Sequence, residues 1–302
     1  MRDDARRGPL ITVDTPTHEL DVFEAERPRL LGLAYRILGS AVDAEDVVQE
    51  AWVRWSGAED IERPAAWLTT VVSRLALDAW RAQQRKREDY VGPWLPEPVA
   101  IEPGPAERAE LADSLTFGFL VLLDELTPME RVVFLLADVF GEPYADIAST
   151  VGKSAAACRQ IASRARRRLQ ESKPTRPSRS SAPLAAALLQ AVASGDVAAT
   201  MALLDPDVVL TSDGGPHRHA ARRPVIGADR VTRLLVNITR RGLANADMQF
   251  VEVNRTPALV ISFRGRPEMV VAIESNEDRV QAIRIVVNPD KLKHLAEPMR
   301  LI

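Results

Sequence analysis

The sequence predicts a multidomain chain: two all-α domains, the second a helix-turn-helix, followed by a carboxy-terminal α+β domain. Three observations carry this. Apolar residues recur at helical spacing through residues 20–86 and again through 107–170. Residues 138–169 join a short helix, a glycine and a second, cationic helix. After a further helical stretch, residues 248–287 break into strand-like runs separated by turn signals, an order that argues α+β.

Bulk properties narrow the function classes. A chain of 302 residues, 46% apolar, has room for two or three cores. Its net charge of −3 means that any nucleic-acid surface must be local. The single cysteine, Cys158, excludes an intramolecular disulfide and a cysteine cluster for zinc or iron–sulfur, and reads as a small packing residue. No apolar run approaches membrane-spanning length and no signal peptide is visible, so the expected compartment is the cytoplasm, without membrane association. Residues 1–19 are expected to form a polar, disordered tail.

The first all-α domain is expected over residues 20–90. Phe23, Leu30, Leu31, Leu33, Ala34, Ile37 and Leu38 form one stripe; Pro28 is expected to mark where the regular helix begins, and Gly39-Ser40 ends it. Asp43 then caps a helix burying Val47, Val48, Ala51 and Trp52 or Trp55, with Asp43, Glu45, Asp46, Gln49 and Glu50 on its other face. Acids in a first turn favour the helix dipole, and so many on one short helix also suit a basic partner. Pro64 sits at a first helical position. The helix from Ala65 to about Lys86 carries a core stripe, Trp67 to Ala79, and basic residues that grow denser towards its end, a pattern suited to phosphate contact.

Residues 91–107 read as a stiff, extended linker with Pro93, Pro96, Pro98, Pro103 and Pro105; Trp94 and Leu95 between prolines predict docking. Two helices, 107–126 and 128–139, lead into the helix-turn-helix of the second domain, 108–171. There Tyr144, Ile147, Ala148 and Val151 form a buried face, Gly152 stops the first helix and Ser154 caps the second. The second helix buries Ala157, Ile161, Ala165 and Leu169 and shows Arg159, Gln160, Ser163, Arg164, Arg166, Arg167 and Arg168. Arg donates twice to guanine, Gln pairs with adenine, and Ser and Lys hold phosphates. A helical hairpin with a solvated basic face is the alternative.

Residues 23–170 resemble a bacterial sigma factor of the extracytoplasmic-function class, through AEDVVQEAWVRW, PAAWLTTVVSRLALDAWR and LTPMERVVFLLADVFGEPYADIASTVGKSAAACRQIASRARRRL in that order. The resemblance implies core RNA polymerase and promoter DNA as partners. It places Asp43, Glu45, Asp46, Gln49 and Glu50 in the polymerase-binding region. It places Arg74, Asp78, Arg81, Gln84, Arg85 and Lys86 along the helix that reads and opens the −10 element. Ser154, Arg159, Gln160, Ser163, Arg164 and Arg166 fall in the −35 reader. Arg74 stands where many members carry Asn.

A second linker, 172–183, precedes the third domain, 184–302. Its expected elements are a helical stretch 184–204 broken at Gly195-Asp196, a strand 207–211, a helix 228–240, and strands 248–253, 258–263, 269–274 and 280–287. This order resembles the cone-shaped, SnoaL-like fold, which one sigma subgroup carries fused at its end. WLPEP from Trp94, DGG from Asp213 and NPDKL from Asn288 resemble that subgroup's markers, although Pro216-His217 follow DGG where the family commonly has Gly-Lys. The resemblance implies a regulatory domain folded back on the sigma module. Contact is expected through Trp94, Leu95, Pro96, Asp213, Gly214, Gly215, Asn288, Pro289, Asp290, Lys291 and Leu292.

Two other classes remain open. A ligand-sensing repressor or activator would share the helix-turn-helix and sensor domain, yet need neither the acidic helix nor the basic one. A SnoaL-like enzyme would need a pocket base, for which Asp213, His217, Asp247, Glu252 and Glu274 qualify by residue type alone. His217-x-His219 lacks a third metal ligand at a recognisable spacing. No catalytic residue, metal or cofactor is therefore expected, and a small ligand of unread identity is the remaining partner of the cone.

Overall fold

The computed structural model describes residues 15–101, 113–171, 181–242, 246–296, 299 and 301. The first domain packs α1 (Thr15–Leu38), α2 (Ala41–Trp55) and α3 (Pro64–Glu88) around Leu30, Leu33, Val48, Leu68 and Val72. Helix α1 runs through Pro28 instead of starting there. The lost amide bond falls where Glu24 is exposed, so water can serve its carbonyl. Phe23, buried against Trp52 at 4.9 Å between ring centroids, and the Trp55 Nε1–H bond to the Glu19 carbonyl fasten the preceding turns. The tail expected to residue 19 is thus helical from Thr15, and its residues 1–14 lie outside the described residues. The cap of α2 is Ser40, whose Oγ accepts from the Asp43 amide at 3.2 Å; Asp43 itself lies in the first turn.

In the second domain the expected helix 107–126 is not continuous. Residues 102–112 lie outside the described residues, and α4 spans only Phe117–Leu122, followed by a 3-10 turn. Thr116 caps α4 through the Phe119 amide, and the Phe117 amide donates to Thr256 of the third domain. Helix α5 (Pro128–Phe134) starts with a capping box between Thr127 and Glu130 and ends in a π turn, Leu135–Val139. The helix-turn-helix is α6 (Tyr144–Val151) and α7 (Ala155–Glu171), joined at Gly152, whose φ of +67° is the left-handed conformation that terminates α6. The Ser154 Oγ accepts from the Ala157 amide at 3.1 Å, as the sequence predicts. Cys158 is fully buried among Ile161, Ala162 and Ala165, a packing residue whose thiol burial pushes up in pKa.

The third domain places α8 (Ala182–Ser194), α9 (Val197–Leu203) and α10 (Ala228–Gly242) on one face of a six-stranded sheet. The strands are β1 (Leu204–Asp213), β2 (Val225–Ile226), β3 (Asp247–Val253), β4 (Thr256–Phe263), β5 (Arg266–Ser275) and β6 (Val280–Val286), ordered β2-β1-β6-β5-β4-β3. Among the pairings of these six strands, β1–β6 is parallel and the rest are antiparallel, and β3 to β6 form a meander. The two-residue β2 escaped the sequence because it is too short to show alternation. Linker residues 172–180 lie outside the described residues.

The three domains share cores. One cluster runs unbroken from α1–α3 through α5–α7 and takes in Val99, Met299 and Leu301. A second joins Leu95 and Phe117 to Val260, Val270, Ala272 and Val286 on the outer face of the sheet.

Candidate functional site

Three sets of residues meet at the linker. Leu95, Pro96, Glu97, Pro98 and Val99 are all buried, so the Pro-rich segment is a strap threaded between domains. The Leu95 amide donates to Asp213 Oδ2 at 2.8 Å. Lys291 Nζ donates to the same oxygen at 2.7 Å and to the Leu95 carbonyl. Asp213 Oδ1 accepts from the Tyr90 hydroxyl and from the Gly215 amide. Asn288 Nδ2 donates to the Tyr90 oxygen at 2.9 Å. Asp213 is fully buried and Lys291 is 6% exposed. A buried carboxylate persists only with such partners. Burial lowers Lys291 to a pKa of about 8 even though Asp213 pulls it up, and burial raises that of Tyr90.

Trp94 lies between two cations, with Lys291 Nζ 3.4 Å and the Arg87 guanidinium carbon 4.5 Å from its ring centroid. Gly215, at φ +59°, is held so close that a Cβ would come within 2.6 Å of Asn288 Nδ2. Of the expected contact residues, Pro289 and Asp290 are exposed; Asp290 pairs with Lys293 at the surface and does not reach the strap.

Sequence reasoning missed the strap's other half. Glu97 Oε2 accepts from the Ala41 amide at 2.7 Å, at the start of the acidic helix α2, and burial raises its pKa. The Glu97 amide donates to the Gly39 carbonyl at 2.8 Å. The Tyr35 hydroxyl donates to the Glu97 carbonyl at 2.6 Å and accepts from Asn254 Nδ2. Asn254 Oδ1 accepts from the Val99 amide at 3.1 Å, and the Asn254 amide donates to the Val99 carbonyl at 2.9 Å. Asn254 and Arg255 both have positive φ at the tight β3–β4 turn; an asparagine at a hairpin turn is the one signal the sequence offered.

The acidic face of α2 shows Asp46, Gln49 and Glu50 to solvent. Asp43 is tied inward by Gln83 Nε2 at 3.2 Å. On α3, Arg85 is exposed, Asp78 and Arg81 pair at 2.8 Å, and Gln84 is half-buried; the Lys86 side chain lies outside the described residues. Arg74 is engaged with the other lobe: its Nε donates to the Thr150 carbonyl at 2.9 Å and its Nη2 to the Ser149 carbonyl at 2.8 Å. Thr70 and Thr150 hydroxyls lie 2.9 Å apart, and Arg63 makes two bonds to Asp146, lowering that carboxyl's pKa. Deeper in the same contact, buried Arg131 donates to the Ile37 carbonyl at 2.7 Å, and buried Arg36 donates to Ser114 Oγ at 2.8 Å.

On α7, Arg159, Gln160, Ser163 and Arg164 are exposed on one side. Ser154 spends its oxygen as the cap. Arg166 departs from expectation: it binds Asp138 at 2.8 Å and the Tyr144 hydroxyl at 3.1 Å, bracing the hairpin. In the third domain, α8, α10 and the inner sheet face enclose a cavity of about 270 Å³, and none of the five acid–base candidates lines it. Among the described residues no cluster of three metal-ligating side chains occurs, and no helix is long and apolar enough to cross a membrane.

Residues 22–86 match Sigma-70 region 2, and residues 118–169 match Sigma-70, region 4. The ECF RNA polymerase sigma factor SigJ of Mycobacterium tuberculosis is 39% identical over 291 residues, covering 90% of this chain and 93% of that relative. The probable ECF RNA polymerase sigma factor SigI of the same species is 33% identical over 284 residues, covering 90% and 94%. A crystal structure of the M. tuberculosis SigJ matches with a TM-score of 0.72 at 36% identity, over 91% of this chain and 99% of that one. Region 2, region 4 and a relative matched along nine-tenths of the chain leave a single assignment: the chain belongs to the extracytoplasmic-function RNA polymerase sigma factors.

Proposed function

We propose that this sigma factor restrains itself, its third domain holding the two promoter-reading lobes in a closed arrangement that must part before initiation. The observation that carries the reading is the Arg74 guanidinium of α3, spent on two carbonyls of α6. Elements at −10 and −35 lie about 25 base pairs apart, on the order of 85 Å of B-form duplex at 3.4 Å per pair. Two lobes that share a core cannot meet both.

In the open form, Arg81, Gln84, Arg85 and Lys86, with Arg74 released, grip the −10 strand, while Arg159, Gln160, Ser163 and Arg164 read the −35 groove. Asp46, Gln49 and Glu50 dock on polymerase together with Glu45, and with Asp43 once it leaves Gln83. The strap is the lever, because the Asp213–Lys291–Leu95 knot fixes its third-domain side and Glu97 its α2 side. The polar part of the inter-lobe contact includes two buried arginines beside the shared apolar core. Parting the lobes therefore exposes apolar surface, a cost that polymerase and promoter contacts must offset. The work is done in the cytoplasm, where core enzyme and promoters are.

Run-off transcription with purified core enzyme tests this by comparing the intact chain with one ending at Gln170 and with Asp213→Asn. Higher transcript yield per bound sigma from the two altered chains supports the reading, and lower yield contradicts it. Equal yield from all three overturns it.

A further inference from the structure

The sheet of the third domain has two apolar faces, one towards its own helices and one towards the strap and α4. Alternation along the strands divides them. Leu259, Ile261, Val271, Ile273, Ile283 and Ile285 point to the cavity. Their neighbours Ala258, Val260, Val270, Ala272 and Val286 point to Leu95 and Phe117. Helices α8 and α10 close the cavity with Leu188, Val192, Leu235 and Ile238. Its rim reaches solvent at Ala193 and at Met248, the latter 46% exposed.

The lining chemistry is one-sided. Among the described residues Thr239 supplies the only side-chain hydroxyl on the wall, and its proton is already donated to the Leu235 carbonyl at 3.0 Å. Among the described residues no charged side chain lines the cavity. A charged ligand group inside would be desolvated without a partner, whereas hydrocarbon loses nothing there. An apolar hollow of this size is also a standing loss of packing in an otherwise dense domain.

We infer that the cavity between α8, α10 and the inner face of β4–β6 is a binding site for a neutral, mainly hydrocarbon molecule of acyl-chain or isoprenoid type. The ligand enters past Ala193 and Met248, and any polar end stays at that rim. Its floor is the strand set whose other face grips Leu95 and Phe117, so occupancy and strap docking are coupled through one layer of backbone. The site does not depend on the self-restraint reading; only the coupling rests on it.

The test is fluorescence titration of the full chain with the neutral probe N-phenyl-1-naphthylamine. Saturable one-to-one binding is expected, reversed by decan-1-ol, with at least tenfold weaker binding of the anionic 8-anilinonaphthalene-1-sulfonate. Ala193→Trp and Met248→Trp enlarge exposed rim residues, so folding survives in at least one; each weakens the neutral probe at least tenfold. Val197→Trp, exposed on α9 away from the wall, leaves it unchanged. No saturable binding, equal binding of the anion, or full binding by a folded rim variant overturns the site. Leu95→Ala shifts the probe's Kd at least threefold if the faces are coupled, because linkage is reciprocal. An unchanged Kd in Leu95→Ala removes the coupling and leaves the site standing.

Discussion

The Asp213 carboxylate, at the end of β1, accepts the backbone N–H of Leu95 from 118 positions earlier in the chain, at 2.8 Å and out of contact with water. A linker residue thus has its main chain satisfied by another domain's side chain. A strap held through its backbone is fixed in register as well as in place.

Asp213→Asn keeps the shape and removes the charge that offsets Lys291. Breaking a buried pair from one side costs about 3–5 kcal/mol. Amide hydrogen exchange at residues 91–99 should accelerate markedly, while residues 30–38 in α1 stay protected. Adding Lys291→Met to Asp213→Asn should recover part of the loss, because the orphaned charge goes with it.

Leu95→Ala empties a site that is 1% exposed, and core truncations of this type cost about 2–5 kcal/mol. Pro289→Ala changes an exposed residue with no strap contact and should stay within about 0.5 kcal/mol of the parent. Urea denaturation of the two variants checks the contrast, which separates strap residues from motif residues that merely sit nearby.

The pH dependence has a definite sign. Lys291 titrates at about 8 when buried and at 10.5 when exposed, so between those values the folded chain binds fewer protons than the unfolded one. This group therefore adds stability as pH rises from about 8 towards 10.5 and adds no slope below about 8. Tyr90, raised by burial, works in the opposite direction only above about 10. Thermal unfolding between pH 7.5 and 9.5 should show the Lys291 contribution, limited to about 1.4 kcal/mol per pH unit. Lys291→Met should lose it; an identical slope in that variant refutes the assignment.

Three arginines on one helix should separate by effect. Arg159→Ala with Arg164→Ala removes exposed donors, each contact being worth about 1–3 kcal/mol, so run-off transcription falls at least tenfold, while stability falls by no more than about 1 kcal/mol for the lost Arg159–Tyr144 ring contact. Arg166→Ala loses the Asp138 and Tyr144 bonds and lowers the melting temperature instead. The reverse pattern would reassign the reading face of α7.

Sequence pattern found most elements to within a few residues: α3 and the α6–Gly152–α7 unit bury one side of themselves, while β4 to β6, buried on both faces, read as apolar runs between turn signals. It failed where tertiary contact decided. Helix α1 passes Pro28 because Phe23 and Trp55 hold its first turns. Helix 107–126 breaks because Phe117 is fastened to Thr256. The motif residues Trp94, Leu95, Asp213, Asn288 and Lys291 were legible through family resemblance, and they do converge. Tyr90, Glu97 and Asn254 were not, since their roles arise only when three domains meet. The Arg74 contact was equally invisible: a basic residue on a helix face carries no mark of which acceptor it meets.

The closed arrangement can be locked where Thr70 and Thr150 hydroxyls approach to 2.9 Å. Thr70→Cys with Thr150→Cys adds two thiols to a chain whose one native cysteine is buried. Run-off transcription by this variant with core enzyme, oxidised and then reduced, measures directly whether the lobes must part. The account predicts that the oxidised protein initiates at a small fraction of the reduced rate and recovers fully with dithiothreitol. Equal initiation by a verified cross-linked protein would contradict it.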